Sequence, residues 1–473
     1  MSDQVAEVNS KYLVEAASNA IPIGYKQTEV GVIPEDWEIH CLGEVMNLIN
    51  GCAFKPSDWK SYGTPIIRIQ NLNDFEAQFN FFDGQIDGRH IIKPGDLLFA
   101  WSGTLGTSFG ARVWKGPVGV LNQHIFKVAP NNQIITQNFS LLALRQAQQL
   151  IEREAHGFKT SFVHIKKSDL TSVKLKIPRD LKEQNAVANA LSDVDALIQG
   201  LEKLIAKKQA IKTATMQQLL TGRTRLPQFA LREDGSTTNS SGTNLDAETG
   251  GPKGEGQDGL RKGTKQSELG EIPEDWKVVS IAELGQVDPE NLGSTTAPDY
   301  EFNYVSLEQV ERGVLLGTIK TIFRDAPSRA RRILKKGDVL VSTVRPNLMS
   351  HYFVQHEDHD LVCSTGFSVV RFFEEKLYPG YLYQHLFSSV INNQIEMLIS
   401  GSNYPAINSG DVRQLKVQIG GVEEQTAIAT ILSDMDEEIQ ALQQRLNKTR
   451  QIKQGMMQEL LTGKTRLLKG ENA

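Results

Sequence analysis

One group of residues has the chemistry of a magnesium-dependent nuclease. Asp360 is followed by Glu374 and Lys376, a carboxylate and a Glu-x-Lys pair, and carboxylates of this kind hold Mg²⁺ beside phosphates. Short Glu-x-Lys matches arise often by chance, and the first half of the chain has no counterpart. The pattern therefore does not favour a nuclease.

Histidine and cysteine side chains near Asp360 offer ligands that zinc prefers. The stretch contains His351, His356, His359, Asp360 and Cys363. Their spacing fits no standard zinc site, and the HEDHD segment is typical of a polar turn. We expect no metal site here.

Motifs for phosphate binding and for methyl transfer are missing, and one short match to an acyl-transfer motif is better explained as a turn. Gly463-Lys464-Thr465 matches the end of a phosphate-binding loop, but Gln458 occupies the position where that motif requires glycine. The chain has no N/D-P-P-Y/F/W tetrapeptide, which adenine methyltransferases use. Residues Gly106–Gly110 spell G-x-S-x-G, but the glycines at 103, 106 and 110 are typical of a strand-end turn. The sequence therefore predicts a protein with no catalytic centre and no cofactor loop of its own.

The length and composition predict a multidomain protein of the cytoplasm. The 473 residues correspond to about three domains. Three cysteines far apart argue against a disulfide framework and fit a reducing compartment. The first residues have no basic region ahead of an apolar core, so we expect no secretory leader, and no apolar run reaches the roughly 18 residues that a membrane span needs.

Two motifs occur twice, which indicates a tandem duplication. Thr28–Trp37 and Ser267–Trp276, the two opening motifs, share seven of ten residues and both end in PEDW. Glu183–Leu226 and Glu424–Leu467 share 23 of 44 residues and both end in LLTGxTRL. The regions between these anchors differ, so one architecture is expected to carry two different surfaces.

The repeated end segments predict two long helices. Apolar residues step along each by four and three residues, the pattern of a coiled-coil seam. The seam residues are Val187, Leu191, Val194, Ile198, Leu201 and Ile205 in the first copy, and Ile428, Leu432, Met435, Ile439, Leu442 and Leu446 in the second. The heptad breaks after Ile205, where we expect a stutter without an end to the helix. Gly222 and Gly463 are expected to cap the two helices.

The remaining segments complete a mixed α/β (α+β) architecture with pseudo-twofold symmetry. We predict two tandem domains separated by the two helices, which would pair as an antiparallel coiled coil. The predicted boundaries are 1–39 (N-terminal segment and opening motif), 40–181 (first middle), 182–227 (helix), 228–266 (flexible Gly-rich linker), 267–279 (second opening motif), 280–422 (second middle) and 423–473 (helix and tail). Within the middles, Pro65–Leu72, Asp96–Ser102 and Val339–Arg345 are predicted strands, and Gln137–Glu154 and Gly380–Leu398 are predicted helices.

The net charge of −5 at first disfavours a nucleic-acid partner, because DNA affinity depends on neutralising phosphates. The charge is unevenly distributed, however: residues 40–181 carry +5, residues 182–227 carry +3, and residues 280–422 carry −3. The second middle has a basic cluster, Arg324–Lys336. We therefore expect the first half to supply most of the general phosphate affinity, and the second to depend on its cluster.

The duplicated PEDW motif, the EQ…LSDxD helices ending in LLTGxTRL, and the two divergent middles resemble the specificity subunit of type I restriction-modification enzymes over nearly the whole chain. The resemblance implies that each middle is a target recognition domain for one half of a split double-stranded DNA site. It implies that the paired helices set the distance between the two half-sites and bind two copies of a DNA adenine methyltransferase subunit. Motor-nuclease restriction subunits would join the complex through these methyltransferase subunits. S-adenosylmethionine, ATP and Mg²⁺ would then belong to those partners. The long linker, 228–266, departs from the pattern.

Base reading requires polar side chains beside a groove, and strand-end loops supply such positions. The candidates in the first middle are Arg68, Gln70, Asn71, Ser102, Thr104, Asn122, Gln123, His124, Lys159, Thr160 and Lys166. Those in the second are Arg331, Arg332, Arg345, Asn347, Ser402, Asn403 and Tyr404. Trp37 and Trp276 are expected to pack the opening motifs onto the helices.

Two alternatives remain open from the sequence. One is a self-contained nuclease or methylase with an unrecognised active site. The other is a coiled-coil adaptor that binds only protein. Sequence-specific, salt-sensitive DNA binding without cleavage or methylation would distinguish the recognition subunit from both.

Overall fold

The computed structural model describes residues 21–74, 77–155, 162–230, 263–355, 360–373, 375–399 and 405–467. These residues form two compact units. Unit 1 comprises the described residues up to Leu201 together with those from Arg445 onward, and unit 2 comprises those within Glu202–Gln444. Each unit therefore contains the middle region of one repeat and helical residues of both repeats.

Two four-stranded sheets form the frame of unit 1. The first is antiparallel, with the strand order Gly110–Val113, Leu97–Ala100, Ile125–Pro130 and Met46–Asn50. The second has the order Asn80–Phe82, Thr64–Ile67, Gly119–Leu121 and Ile91–Ile92, with a parallel central pair. Two-stranded ladders join Tyr25–Thr28 to Gly31–Pro34, Trp37–Cys41 to Lys174–Pro178, and Ser102–Thr104 to Phe162–His164. The short helices are Leu42–Val45, Pro56–Asp58, Ile69–Asn73, Gly88–His90 and Lys167–Thr171, and Gln137–Ala155 is a longer one.

Unit 2 repeats this plan with a different sequence. Its antiparallel sheet has the order Gly285–Val287, Phe367–Phe372, Val339–Ser342 and Tyr352–Phe353. Its second sheet has the order Ile319–Ile322, Glu301–Val305, Leu361–Ser364 and Ala330–Ile333, again with a parallel central pair. The ladders join Thr264–Ser267 to Gly270–Pro273, Lys277–Ser280 to Lys416–Ile419, and Val310–Glu311 to Val314–Leu315. The helices, apart from the long ones, are Pro227–Phe229, Ile281–Leu284, Leu307–Gln309, Pro346–Leu348, Pro379–His385, Ser389–Leu398 and Ser409–Gln414.

The predicted mixed α/β class with two tandem domains is confirmed. The predicted strands at Asp96–Ser102 and Val339–Arg345 correspond to Leu97–Ala100 and Val339–Ser342, in which every residue is buried. Such short apolar runs are typical of strands covered on both faces.

Two predicted elements are wrong in their extent. The helix predicted over Gly380–Leu398 is two helices, because Ser388 caps a new one and accepts a hydrogen bond from the Ile391 amide. The strand predicted over Pro65–Leu72 ends at Ile67, because the Asn71 side chain accepts from the Arg68 amide and turns the chain into a helix. The predicted linker lies mostly outside the described residues, and its last residues, 264–266, form a strand.

The two long helices are Leu181–Leu219 and Val422–Leu460, each of 39 residues. Both continue past the heptad break, as predicted. Eight of the twelve seam residues are buried, and the other four, Val194, Ile198, Met435 and Leu442, are half-buried. Gly222 and Gly463 follow the helices with φ of +67° and +73°, the left-handed conformation expected of glycine caps.

The helices run in opposite directions where they meet within each unit. In unit 1, Lys453 binds Asp195 at 2.5 Å, whereas Glu183, earlier in the first helix, binds Arg466, which follows the second. In unit 2, Lys212 binds Asp436 at 2.5 Å, and Arg225 binds Glu424. Each unit thus joins the start of one long helix to the end of the other.

A buried cluster connects all the repeated motifs of unit 1. The fully buried Trp37 donates through Nε1 to Glu183 at 3.3 Å, and Arg466 donates to the same carboxylate at 2.7 Å. Arg466 also reaches Asp36 at 2.7 and 2.9 Å, and this hydrogen bond holds the pKa of Asp36 below its ordinary value. A Cβ on Gly463 would lie 2.5 Å from Pro34. The prediction that Trp37 packs the opening motif onto the helices is confirmed.

Unit 2 contains the same cluster built from the other copies. Trp276 donates to Glu424 at 3.0 Å, and Arg225 donates to Glu424 at 2.6 and 2.9 Å and to Asp275 at 2.8 Å. Here the arginine belongs to the first repeat and its carboxylates to the second. The two repeats therefore exchange their last helical turns.

Substituting Arg466 by Met should destabilise unit 1 strongly. Glu183 is 1% exposed, and removing one partner of a buried ion pair costs about 3–5 kcal/mol. Chemical denaturation of the full chain would measure this loss. The matched control is Arg179→Met, since Arg179 pairs with Glu38 at the surface, where an ion pair is worth at most about 1 kcal/mol. Equal losses in the two variants would contradict the proposed role of the cluster.

Candidate nucleic-acid interface

Strand ends bring most of the candidates of unit 1 to one edge. Ile67 pairs with Leu121, so Arg68 and Asn122 leave neighbouring strands together. The Trp101 amide donates to the His124 carbonyl at 3.2 Å, and the Ile165 amide donates to the Trp101 carbonyl at 3.1 Å. Segments around His124 and Ile165 therefore meet at Trp101, and the strand end at Ile67 adjoins Asn122.

Aromatic and imidazole rings form the centre of this edge. The Trp101 ring centroid lies 4.7 Å from that of His164 and 5.3 Å from that of His124. Its Nε1 donates to the Gln123 carbonyl at 3.0 Å. His164 and Phe162, which is 59% exposed, were not among the predicted residues. Their alternation around the buried Val163 is a strand signal that could have identified them.

Gln70 faces outward and Arg68 is half-buried, whereas Asn71 is fully buried. The Arg68 guanidinium lies over the Trp59 ring at 5.0 Å, and Gln70 is exposed. Asn71 is fully buried, and its amide is bound to the Arg68 and Ala77 backbones. Asn71 therefore shapes the turn that presents Arg68, and we withdraw it as a base-contacting candidate.

The other candidates of unit 1 differ in exposure. Thr104, Gln123 and Lys166 are exposed, and Asn122 and His124 are half-buried. Ser102 is 6% exposed because it lies in the ladder that pairs with Phe162–His164. Lys159 and Thr160 lie outside the described residues.

The corresponding edge of unit 2 is a turn with an unusual backbone. Arg345 and Met349 adopt φ of +49° and +53° on either side of Pro346–Leu348. Non-glycine residues in this region are strained and cluster at functional sites. The Arg345 amide donates to the Pro405 carbonyl at 2.8 Å. Arg345 and Asn347 are thus exposed on a fixed turn, while Ser402, Asn403 and Tyr404 lie outside the described residues.

Carboxylates partly neutralise the basic cluster of unit 2. Arg332 binds Asp288, and its side chain is only 13% exposed. Lys335 binds Glu290, and Arg331 lies over the Phe323 ring at 4.8 Å. Carboxylates therefore pair with Arg332 and Lys335 of the predicted basic cluster, and the charge count along the sequence did not show these acidic neighbours. Arg331 remains a candidate.

A buried histidine supports the strand that leads into the Arg345 turn. His351 is fully buried, and its Nδ1 accepts a hydrogen bond from the Ser342 amide at 3.1 Å. Burial lowers the pKa of His351 to about 3. The ring is therefore a neutral acceptor. It holds the backbone at Ser342, three residues before Arg345.

The residues considered as metal ligands either have other contacts or lie outside the described residues. The Asp360 carboxylate accepts from the Tyr300 hydroxyl at 2.9 Å, and burial raises the pKa of the Cys363 thiol well above its ordinary range. His356, His359 and Glu374 lie outside the described residues. Across the described ranges, no three His, Cys, Asp or Glu side chains are grouped to hold a metal ion, and no helix there has the length and apolarity of a membrane span.

Two stretches of the chain, residues 34–213 and 273–451, match the family model for the type I restriction modification DNA specificity domain. The chain is 24% identical over 446 residues to the type I restriction enzyme MjaVIII specificity subunit of Methanocaldococcus jannaschii, covering 92% of this chain and 94% of that protein. It is 25% identical over 462 residues to the putative MjaX specificity subunit of the same organism, covering 94% and 97%.

Among solved structures, the S subunit of a type I restriction-modification system from M. genitalium has a similar fold. The TM-score is 0.53 with 13% identity, and the match covers 90% of this chain and 96% of that one. At this identity the likeness concerns the fold alone.

The stability of unit 2 should fall in acid because of His351. Its pKa is about 6.5 unfolded and about 3 folded, so its contribution is complete above pH 6.5 and is lost as the pH falls toward 3. Below pH 6.5 His351 contributes about 1.4 kcal/mol per pH unit to the slope, and His385, whose pKa burial also lowers to about 3, adds its own contribution. Denaturation curves between pH 7 and 4 should show a smaller slope for His351→Gln. The exposed His164→Gln is the control, and a slope unchanged in His351→Gln would refute the assignment.

Proposed function

Since the chain belongs to the type I restriction-modification DNA specificity family, we propose that each of its two middle regions reads one half of a bipartite DNA site. DNA and the other subunits of such a system are its partners. The observation that carries the proposal is internal to the chain: two units share one strand plan but present different side chains at the same edge. The two half-sites should therefore differ, and the whole site should be asymmetric.

The candidate contacts follow from the exposed and half-buried residues at these edges. In unit 1 they are Arg68, Gln70, Thr104, Asn122, Gln123, His124 and Lys166, with Lys159 and Thr160. In unit 2 they are Arg331, Arg345 and Asn347, with Ser402, Asn403 and Tyr404. Arginine and amide side chains recognise base edges, whereas Lys166 is suited to phosphate. Trp101 and His164 add rings that can pack against the sugar or a base.

The long helices are proposed to form one antiparallel coiled coil with pseudo-twofold symmetry. The opposite chain directions at the contacts within each unit support this pairing, as do the buried seam residues. The coiled coil would act as a spacer between the half-sites. Recognition of the same side of a duplex requires half-site centres about 34 Å apart, or a multiple of that distance.

The same helices offer matched surfaces for two partner subunits. Ile211 is 42% exposed and Ile452 is 49% exposed, and they occupy equivalent positions in the two repeats. Single exposed apolar side chains are ordinary on protein surfaces, so the proposal rests on their recurrence at the same position of both repeats. We assign these positions to the docking of two copies of an adenine methyltransferase subunit, through which the motor-nuclease subunits would join.

The chain itself is proposed to be non-catalytic and cytoplasmic. S-adenosylmethionine, ATP and Mg²⁺ would act in the partner subunits. The family membership does not favour a self-contained nuclease or methylase, or an adaptor that binds only protein. Methylated adenines mapped in cells with this chain and its methyltransferase should lie in one bipartite, asymmetric motif. Methylation without such a motif would refute the proposal.

Arg345 and Lys166 should affect DNA binding in different ways. Arg345→Ala should relax the preference at one base position by about 1–3 kcal/mol, because a lost arginine–guanine contact costs that much. Lys166→Ala should weaken binding to all sequences evenly and reduce its salt dependence. Competition binding of the complex against a library of single-base variants would measure both. If both variants lost affinity without any change in base preference, the assigned roles would be wrong.

Ile211→Glu and Ile452→Glu should each remove one methyltransferase subunit from the complex. A charge at a buried interface position remains unpaired, which is costly. Analytical ultracentrifugation should show one bound subunit in each single variant and none in the double variant. Lys203→Glu on the first helix is the control for charge alone. Two bound subunits in either isoleucine variant would contradict this docking site.

A further inference from the structure

Unit 1 contains a cavity that the proposed DNA contacts do not use. It has a volume of about 660 Å³ and lies among the strand Gly110–Val113, the helix Gln137–Ala155 and the first turns of the first long helix. A second cavity of about 370 Å³ adjoins it, and both are lined by Arg112, Arg145 and Asp195. Together they form one groove with polar and apolar walls.

The charges around this groove are mostly positive. Arg112, Lys115, Arg145 and Lys453 line it, against the carboxylates of Asp195 and Glu152. Arg145 and Lys453 share Asp195, at 3.2 and 2.5 Å. Arg112 donates instead to neutral oxygens, those of Asn73, at 2.9 Å, and Thr107. Burial, together with the nearby charge of Arg145, lowers the pKa of Arg112, so an added anion would relieve both effects.

The matching place in unit 2 is packed with aromatic rings. Strand register makes Tyr352 the counterpart of Arg112, since Arg112 pairs with Leu98 and Tyr352 with Leu340. In unit 2 the Tyr352 strand continues into Phe353, whose ring centroid lies 5.8 Å from that of Tyr383. Phe353 corresponds to Val113, and at the Arg112 position itself unit 2 has the half-buried Tyr352 where unit 1 has a guanidinium.

Arg145 also has an aromatic counterpart. The Thr136 and Tyr378 amides donate to the equivalent glutamines Gln184 and Gln425, at 2.8 and 3.0 Å. Counting nine residues from each reaches Arg145 inside its helix and Phe387 at the break between two helices, so Phe387 is the counterpart of Arg145 in chain order. The Phe387 and Tyr383 ring centroids are 5.2 Å apart.

The framework around these positions is nevertheless the same. The Lys453–Asp195 pair of unit 1 recurs in unit 2 as Lys212–Asp436, again at 2.5 Å. The duplicated fold is therefore stable with aromatic residues at the two positions. The arginines are an addition specific to unit 1, and the fold itself does not require them.

We propose that this groove binds a small phosphorylated molecule, with Arg112 and Arg145 on its phosphate groups. Guanidinium groups match phosphate oxygens in a bidentate geometry. The volume is that of small-molecule sites, whereas a DNA duplex is too wide to enter it. Leu97, Val113 and Leu142 provide apolar contact for the rest of the ligand. Because the walls come from the middle region and the long helix, the bound molecule would join these two elements.

Titration calorimetry of the full chain with ADP, pyrophosphate and adenosine tests the proposal, and the partner subunits are left out because ATP is assigned to them. ADP and pyrophosphate should bind and adenosine should not. Arg145→Gln and Arg112→Gln should each weaken ADP binding roughly tenfold or more, the effect of losing one charged hydrogen bond. Arg179→Gln, an exposed arginine of unit 1 outside the groove, should leave binding unchanged.

A double variant separates binding from folding. Arg112→Tyr with Arg145→Phe installs the residues of unit 2, so it should remain folded by thermal denaturation and lose ADP binding. Absence of phosphate binding in the unmodified chain, or unchanged ADP affinity in Arg145→Gln, would overturn the proposal. Displacement of ADP by a DNA duplex would also overturn it, because the phosphate would then be that of the DNA backbone.

Discussion

A buried glutamate, neutralised by one arginine and fixed by one indole, is the contact on which each unit depends. Glu183 and Glu424 begin the long helices, and Arg466 and Arg225 follow the ends of the opposite ones. A carboxylate with so little exposure is costly unless it is paired. Each cluster therefore requires an opening motif, a helix start and a helix end to be in place together.

This requirement explains which parts of the two repeats are alike. The PEDW motif supplies the indole and a second carboxylate, the EQ motif supplies the buried glutamate, and the TGxTRL motif supplies the arginine and the glycine that lets it approach. The middle regions take no part in the cluster. Their loops can differ without loss of the fold, and the edges around Trp101 and Arg345 show how far they do.

Periodicity and repetition predicted the framework well. The 4-3 spacing gave both long helices, and the repeated tryptophans pointed to packing against them. Roles that depend on distant neighbours could not be predicted. Asn71 is a turn residue because the Arg68 and Ala77 backbones lie beside it, and Arg332 is paired because Asp288 lies on a distant loop.

The groove lined by Arg112 and Arg145 could not be predicted from the sequence either. Arg112 and Arg145 are 33 residues apart and stand out only beside Tyr352 and Phe387. That comparison requires the strand register and the shared amide contacts, which the sequence alone does not provide. The two middle regions are too dissimilar in sequence to show which of their residues correspond, although their strands follow the same plan.

The exchange of helix ends also determines the order in which the chain can close. Unit 2 is formed from one continuous stretch, Glu202–Gln444, so all its parts are available as soon as that stretch has left the ribosome. Unit 1 needs Arg466, which lies 283 residues after its partner Glu183. Glu183 and Trp37 therefore lack their arginine partner during most of the synthesis of the chain. Unit 1, whose middle region is made first, is completed last.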